Sequence, residues 1–254
     1  MASSSRAVDI ERAVDELRGR GFGLLPSGLE PRRLEQARRR LGVLLSELGE
    51  PPLHGPRSRW LRPDVETAPT GLAIYALEAL APEIVSVALP PPLREVARRL
   101  LGPDATLELV GALLYDEHRP RTEWETHLGG PAAERWREAG RAPPRGPTVR
   151  IVAYNSLESL DEDDGWLVLP RRGDEDELRA PPADESRALR IALPAGTLLL
   201  LDERTWHRVP PPCRAGRHHF LGAYLSRADV AVRRLGTIDT LWNPTVCEDE
   251  SDGT

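Results

Sequence analysis

The chain contains no lysine, and this absence excludes several mechanisms. All 34 basic residues are arginine, against 40 acidic residues. A lysine Schiff base needs that side chain, and so does a phosphate-binding loop of the P-loop or kinase type. The net charge of −6 also argues against a broad nucleic-acid-binding surface.

Cysteines and long apolar runs are also scarce. The two cysteines, Cys213 and Cys247, form neither a disulfide framework nor a zinc-ligand spacing. No apolar run reaches the ~18 residues of a membrane span, and the first residues lack the apolar segment of a signal peptide. We therefore expect a cytoplasmic protein whose partner is a small molecule, with no membrane or nucleic acid involved.

Hydrophobic periodicity predicts helices first and strands afterwards. Helical spacing covers residues 7–20, 31–48 and the region around 93–101. Strand-like segments follow at 21–26, 105–115, 148–157, 166–170, 188–193, 197–202 and 217–226. This order predicts an α+β protein with a mainly β core, a sandwich or barrel.

The remaining segments complete the predicted organisation. One domain is expected over residues 1–243, followed by an acidic tail, 244–254, that we predict to be disordered. The polar or proline-rich segments 50–70, 129–147 and 171–187 are predicted to be surface loops that flank a bound substrate.

Two of the six histidines stand where strand-like segments meet loops. His127 lies in EWETHLGG, His207 ends LLLLDERTWH, and Arg217 follows ten residues later. Imidazoles on neighbouring strands can hold Fe(II), and a guanidinium can hold a carboxylate of 2-oxoglutarate through two parallel hydrogen bonds. Of the adjacent His218 and His219, one must face inward, because side chains alternate along a strand.

These residues resemble the phytanoyl-CoA dioxygenase-like branch of the Fe(II)/2-oxoglutarate oxygenases. The similarity extends over residues 12–227 through GFGLLPSGLEPRRLEQARRRL, TVRIVAYNSLESLDEDDGWLVLP and GTLLLLDERTWHRVPPPCRAGRHHFLGAYLS. It implies a double-stranded β-helix, which is a jelly-roll barrel with flanking N-terminal helices. It also implies iron on His127 and His207, 2-oxoglutarate on Arg217, and O₂ as the oxidant. Tyr115 either contacts the 2-oxoglutarate carboxylate or belongs to the core.

One position departs from the family pattern. The family has His-x-Asp or His-x-Glu, whereas this chain reads His127-Leu128-Gly129. Related 2-oxoglutarate halogenases carry Gly or Ala there, and chloride occupies the vacant ligand position. The resemblance thus implies chlorination at an unactivated C–H bond of a small molecule in secondary metabolism, either free or tethered to a carrier protein, with Gly129 making room for the halide.

Three other interpretations stay open at this point. Glu123, Glu125 or Asp202 could supply the missing ligand, which would make the protein a hydroxylase with an unusual ligand set. His127 could also be misaligned with the family motif. Finally, the site could have lost its metal, which would leave a noncatalytic binding protein on the same barrel.

Overall fold

A computed structural model describes residues 2–120, 122–127, 147–171, 185–210, 215–231 and 236–237. Gly129, both cysteines, most of the segments 129–147 and 171–187, and the tail 244–254 lie outside the described residues. None of the described helices is long and apolar enough to cross a membrane.

The helices pack on one side of the molecule. They are α1 (Ala2–Arg20), α2 (Pro31–Glu47), α3 (Leu77–Leu80), α4 (Val85–Ala88) and α5 (Pro91–Leu101), with a 3₁₀ turn at Pro82–Ile84. α2 begins with Pro31, whose fixed φ suits the first helical turn. The three helices predicted from periodicity are therefore confirmed as α1, α2 and α5, whereas α3 and α4 are too short to give a periodic signal.

The strands form two antiparallel sheets. They are β1 (Phe22–Pro26), β2 (Arg59–Arg62), β3 (Val65–Ala68), β4 (Gly71–Ile74), β5 (Thr106–Tyr115), β6 (Arg150–Ser156), β7 (Trp166–Val168), β8 (Leu189–Ile191), β9 (Thr197–Asp202), β10 (His207–Arg208), β11 (His218–Ser226) and β12 (Gly236–Thr237). The larger sheet has the order β1-β9-β6-β11-β5-β4-β3-β2, and β12 also pairs with β5. The smaller sheet has the order β10-β7-β8.

One face of the larger sheet packs against the helices and the other against the smaller sheet. Because side chains alternate along a strand, successive residues point to opposite faces. On β11, Leu221, Ala223 and Leu225 pack toward the helices. Phe220 and Tyr224 face the smaller sheet, in a second core that includes Trp166 and Val168. We call this second side the inner face. The mainly β core with flanking helices, as predicted, is confirmed.

The prediction of a loop over 50–70 is wrong. The segment contains β2 and β3, and β3 pairs with β4, which the sequence analysis did not predict. These short strands lie at the edge of the sheet, where charged residues and nearby prolines are tolerated. The strand β5, predicted over 105–115, is irregular near its start. Leu107 packs toward the helices, because a register shift opposite Tyr224 and Leu225 inserts one extra residue before Leu109.

Candidate functional site

The two predicted histidines lie side by side at the end of the inner face. The Glu125 N–H donates to the His207 carbonyl, and the His207 N–H donates to the Glu125 carbonyl, both at 2.9 Å. The His127 N–H donates to the Glu203 carbonyl, also at 2.9 Å. The ring centroids of His127 and His207 are 4.8 Å apart. Backbone pairing thus brings together two side chains that are distant in sequence.

His207 is oriented as a ligand. It is fully buried, and its ring stacks on Trp166 with centroids 5.9 Å apart. Its Nδ1 lies 3.0 Å from the carbonyl oxygen of Thr205, which can only accept a hydrogen bond. The proton is therefore assigned to Nδ1, which leaves the lone pair on Nε2. Within the described residues Nε2 has no hydrogen-bond partner. A backbone bond of this kind is what fixes the tautomer of metal-binding histidines.

His127 is half-buried between two tyrosine hydroxyls. The Tyr224 hydroxyl lies 3.2 Å from Nδ1, and the Tyr154 hydroxyl lies 3.5 Å from Nε2. Burial holds the pKa of His127 well below its usual range, and the nearby His207 and Arg150 act in the same direction. The imidazole is therefore neutral at pH 7, as a metal ligand must be.

Of the three acids considered as a third ligand, Glu125 alone is shown near the pair. Its Oε1 lies 3.7 Å from His207 Nε2, and its side chain is 47% exposed. Asp202 is instead paired with Arg204 and Arg171, each at 2.7 Å. Glu123 is exposed, and no contact places it at the histidines. In the described ranges no three His, Cys, Asp or Glu side chains already converge on one point. Two imidazoles with one adjustable carboxylate still fit a metal of the Fe(II) type.

No family model matches the chain, and no curated protein does. Several solved structures do match. The carbocyclase SnoK from nogalamycin biosynthesis gives a TM-score of 0.62 at 16% identity, covering 85% of this chain and 83% of that chain. The epimerase SnoN, in complex with Fe³⁺, alpha ketoglutarate and nogalamycin RO, gives 0.62 at 15%, covering 87% and 85%. HygX from Streptomyces hygroscopicus, with nickel and 2-oxoglutarate bound, gives 0.58 at 15%, covering 85% and 86%.

The chain shares the fold of these enzymes. SnoK and SnoN are non-heme alpha ketoglutarate dependent enzymes. At these identities the likeness concerns the backbone, so the roles of individual side chains depend on this chain's own geometry.

The side chain of Arg217 points away from the inner face, and its assignment to 2-oxoglutarate stays a prediction. It is 48% exposed, and its Nη2 lies 3.9 Å from Glu50 Oε2, just beyond α2. Arg217 directly precedes β11 and continues the alternation of His219 and Leu221, the latter packed toward the helices. His218 has the parity of the inner-face Phe220.

Arg119 is a buried arginine that, unlike the buried Arg150, has no carboxylate partner among the described residues. It is 2% exposed, and its guanidinium carbon lies 4.3 Å above the Tyr115 ring. Its Nε, Nη1 and Nη2 have no hydrogen-bond partner among the described residues. Desolvation lowers the pKa of Arg119 to about 10, although Tyr115, Glu125 and Tyr154 act in the opposite direction. A buried cation without an anion is a strong indication of a missing anionic ligand.

Further buried polar atoms near Arg119 have no hydrogen-bond partner among the described residues. They are the Tyr115 hydroxyl, the Trp166 indole nitrogen and both ring nitrogens of His218. The rings form a connected series, with centroid separations of 5.3 Å for Tyr115 and His218, 5.7 Å for Tyr115 and Phe220, and 5.3 Å for Phe220 and Trp166. Trp166 in turn stacks on His207. One lining therefore joins Arg119 to the histidine pair. Tyr115 belongs to the core, and burial raises the pKa of its hydroxyl, although the neighbouring Arg119 and Trp166 side chains act in the opposite direction.

The sequence analysis did not predict Arg119, Tyr154 or Tyr224. The two tyrosines could have been found, because each has inner-face parity on its strand, with Val152 and Phe220 respectively. Arg119 follows the end of β5 in a turn where its N–H donates to the Asp116 carbonyl at 3.0 Å. Alternation does not extend into a turn, and one arginine among 34 carries no compositional signal.

Two buried ionic groups hold the turn that carries the histidines. Arg150 contacts Glu203 Oε2 at 2.7 Å and Glu108 Oε1 at 3.0 Å, and the Glu203 carbonyl accepts the His127 N–H. Asp202 begins the turn that leads to His207. The position of each imidazole thus depends on charges that are themselves buried and paired.

Proposed function

We propose that the protein is a non-heme Fe(II)/2-oxoglutarate-dependent oxygenase that oxidises an unactivated C–H bond of a small molecule. In this proposal the two sheets are the halves of a double-stranded β-helix. The observation that carries it is the unpaired, buried Arg119 in the same lining as His127 and His207. The shared fold with SnoK, SnoN and HygX supports it independently.

His127, His207 and Glu125 would hold the metal. His207 presents Nε2 because Thr205 accepts the bond from Nδ1, and Glu125 is already 3.7 Å from that Nε2. Bound iron would supply O₂ activation. The chain's own contribution is to keep His127 neutral, to orient His207 through the Thr205 carbonyl, and to keep water away from His207, which is fully buried.

Arg119 and Tyr115 would hold 2-oxoglutarate. The guanidinium presents a planar fork that matches the distal carboxylate, and the Tyr115 hydroxyl can donate to the same group. His218 and Trp166 line the path from this carboxylate to the metal and offer further unpaired nitrogen atoms. Binding would therefore satisfy several of the polar atoms that have no partner within the described part of the chain.

The reaction type depends on the third ligand. Glu125 favours hydroxylation or another oxidation with a three-residue ligand set, because it replaces the carboxylate missing at Gly129. Chlorination, with Gly129 vacating the position, remains the alternative. The related structures are described as a carbocyclase and an epimerase from antibiotic biosynthesis, which supports a role in secondary metabolism. A place in the phytanoyl-CoA dioxygenase-like branch, and a carrier-tethered substrate, also remain proposals.

Anaerobic titration with Fe(II) and 2-oxoglutarate tests this function. We expect saturable binding of both and a weak visible charge-transfer band. His207→Ala should abolish the band, whereas His118→Ala, at an exposed histidine, should not. If the wild type forms no band and binds no Fe(II), the proposal that this protein is an Fe(II)/2-oxoglutarate oxygenase is wrong.

Paired glutamate variants distinguish the two reactions. Glu125→Ala should weaken Fe(II) binding about 10- to 100-fold if Glu125 is a ligand, and Glu123→Ala is the matched exposed control. If Glu125→Ala binds iron like the wild type, and chloride shifts the band of the wild-type complex, the halogenase alternative is correct instead.

A further inference from the structure

His127 can carry its single proton on either ring nitrogen, and only the form with the proton on Nδ1 can bind a metal through Nε2. A neutral imidazole has one N–H donor and one lone pair, and the lone pair is what coordinates a metal. His207 is fixed by a backbone carbonyl, which only accepts. The ring nitrogens of His127 instead contact two hydroxyls, which both donate and accept, so its tautomer depends on how those hydroxyls are arranged.

Strand register brings the two hydroxyls together at this ring. Tyr154 on β6 pairs with Gly222 on β11, and Tyr224 lies two residues further along β11 on the same face. Diagonal neighbours of this kind are within reach of each other when the side chains are aromatic. A Cβ on Gly222 would lie 3.5 Å from Tyr154 Cε1, so the Tyr154 ring lies over this glycine. The two hydroxyl oxygens are consequently only 3.5 Å apart.

The two hydroxyls and the imidazole form a closed triangle of polar atoms. The Tyr224 hydroxyl is 3.2 Å from His127 Nδ1, the Tyr154 hydroxyl is 3.5 Å from Nε2, and the hydroxyl pair is the third side. With the proton on Nδ1, the bonds run from Nδ1 to Tyr224, from Tyr224 to Tyr154, and from Tyr154 to Nε2. With the proton on Nε2, every bond reverses. Both tautomers therefore satisfy all three groups.

The unequal sides of the triangle favour the form that can bind a metal. The contact at Nδ1 lies within the usual range of N–H···O distances, whereas 3.5 Å at Nε2 exceeds that range. The N–H is therefore best satisfied at Nδ1, and the weaker contact is left to the lone pair on Nε2. Both hydroxyls keep their protons at pH 7, because a phenol titrates near pH 10 and burial raises the pKa of each further.

We propose that Tyr224 is a positioning residue, whose oxygen accepts the Nδ1–H of His127 and thereby leaves the Nε2 lone pair for the metal, and that the Tyr154 hydroxyl donates to this lone pair only while no metal is bound. The inference deepens the proposed function and rests on it, because it assigns two further residues to the same metal site. Two tyrosines of the same chemistry, on neighbouring strands, thus act on His127 in opposite ways.

The metal-free protein tests the tautomer directly. With ¹⁵N-labelled histidine, the proton–nitrogen correlations within the imidazole ring distinguish Nδ1–H from Nε2–H, and His127→Ala identifies the signals. We expect Nδ1–H in the wild type. Tyr224→Phe keeps the ring, which meets the imidazole at 81° with centroids 5.3 Å apart, but removes the acceptor. It should move the proton to Nε2, where Tyr154 can still accept it, whereas Tyr154→Phe should leave the proton on Nδ1.

Titration of the full-length protein with Co²⁺ alone, followed by visible absorption, measures the consequence for the metal. Tyr224→Phe should weaken Co²⁺ binding about 10- to 100-fold, the usual effect of losing a partner that orients a ligating histidine. Tyr154→Phe should bind Co²⁺ as tightly as the wild type or more tightly, because a donor that competes for Nε2 is removed. Tyr75→Phe is the matched control. It removes another half-buried hydroxyl, which donates to Glu66 at 2.8 Å, and should change neither the tautomer nor the affinity.

The inference is overturned if wild-type His127 carries Nε2–H, or if Tyr224→Phe and Tyr154→Phe weaken Co²⁺ binding equally. A purely structural role of Tyr224 also overturns it, and would show as a lower melting temperature of Tyr224→Phe with the proton still on Nδ1. If the wild type takes up no Co²⁺, the proposed function fails and the inference falls with it. Normal Co²⁺ uptake together with the wrong tautomer or equal variants overturns the inference alone, so the two failures are distinguishable.

Discussion

Replacing Arg119 by methionine should stabilise the ligand-free protein. Burial lowers the pKa of Arg119 from its ordinary 12.5 to about 10. At about 1.4 kcal/mol per pH unit, the buried charge costs the folded state about 3 kcal/mol. The cation–π contact with Tyr115 returns about 1–2 kcal/mol. Methionine keeps most of the aliphatic volume without the charge, so we expect a net gain of about 1–2 kcal/mol.

The sign of the pH dependence follows from the same shift. A cation with a lowered folded-state pKa binds its proton less tightly when folded, so its cost is fully present below about pH 10. The cost diminishes as the pH rises from there toward 12.5, because only the unfolded chain then keeps the proton. At pH 7 to 8 the full gain from Arg119→Met should be measurable.

The same substitution should greatly reduce the response to 2-oxoglutarate. Loss of one partner from a buried, hydrogen-bonded charge pair costs about 2–5 kcal/mol, which is at least about 30-fold in affinity. With Ni²⁺ present, 2-oxoglutarate at 100 times its Kd should stabilise the wild type by about 2.7 kcal/mol. The variant should gain at most about 0.9 kcal/mol at the same concentration.

Urea unfolding with and without 2-oxoglutarate measures both effects. Arg217→Met is the matched control, since its side chain is 48% exposed. It should change the unfolding free energy by less than about 0.5 kcal/mol and keep the 2-oxoglutarate response. The reasoning is refuted if Arg119→Met destabilises the ligand-free protein and responds to 2-oxoglutarate like the wild type, or if Arg217→Met loses the response.

Three further predictions concern the turn that carries the histidines. Gly21 has φ +80° and a Cβ there would collide with Thr205 Oγ1, so Gly21→Ala should lower stability by about 2 kcal/mol and weaken Fe(II) binding; Gly19→Ala, with open space, should do neither. Arg150→Met removes the buried cation that Glu203 and Glu108 both contact and should cost about 3–5 kcal/mol in urea unfolding. Although burial opposes it, two arginine partners hold the pKa of Asp202 below 3.8, so the stability lost in Asp202→Asn should be constant near neutral pH and shrink below about pH 4.

The sequence predicted the architecture where burial dictates a pattern. Leu34, Leu41 and Leu45 recur at helical spacing because one face of their helix packs against the core, whereas the strand Thr197–Asp202 is a continuous apolar run because both of its faces are buried. The strands around Trp60 were missed because an edge strand has few apolar neighbours and therefore no such pattern.

The candidate site was predictable only in part, and the two arginines show why. His127 and His207 could be predicted to lie close together because each stands where a strand-like segment meets a loop, on neighbouring strands. Arg217 was predicted from its distance along the chain from His207. Its side chain has the strand parity opposite to that of His218, so it points outward, and it is 48% exposed. Parity at a strand end is therefore a better guide to an inward side chain than spacing between motifs.

The positions of the buried polar atoms without partners support a bound anion, independently of the likeness to known enzymes. Native proteins pair most buried polar atoms, because an unpaired one costs about 1–3 kcal/mol. In this chain, five described residues with such atoms, namely Tyr115, Arg119, Trp166, His207 and His218, belong to one lining of the inner face. Four of them carry N–H or O–H donors. A barrel that only needed stability would place apolar side chains there, so we infer that the lining is retained for an acceptor-rich ligand that bridges Arg119 and the histidine pair.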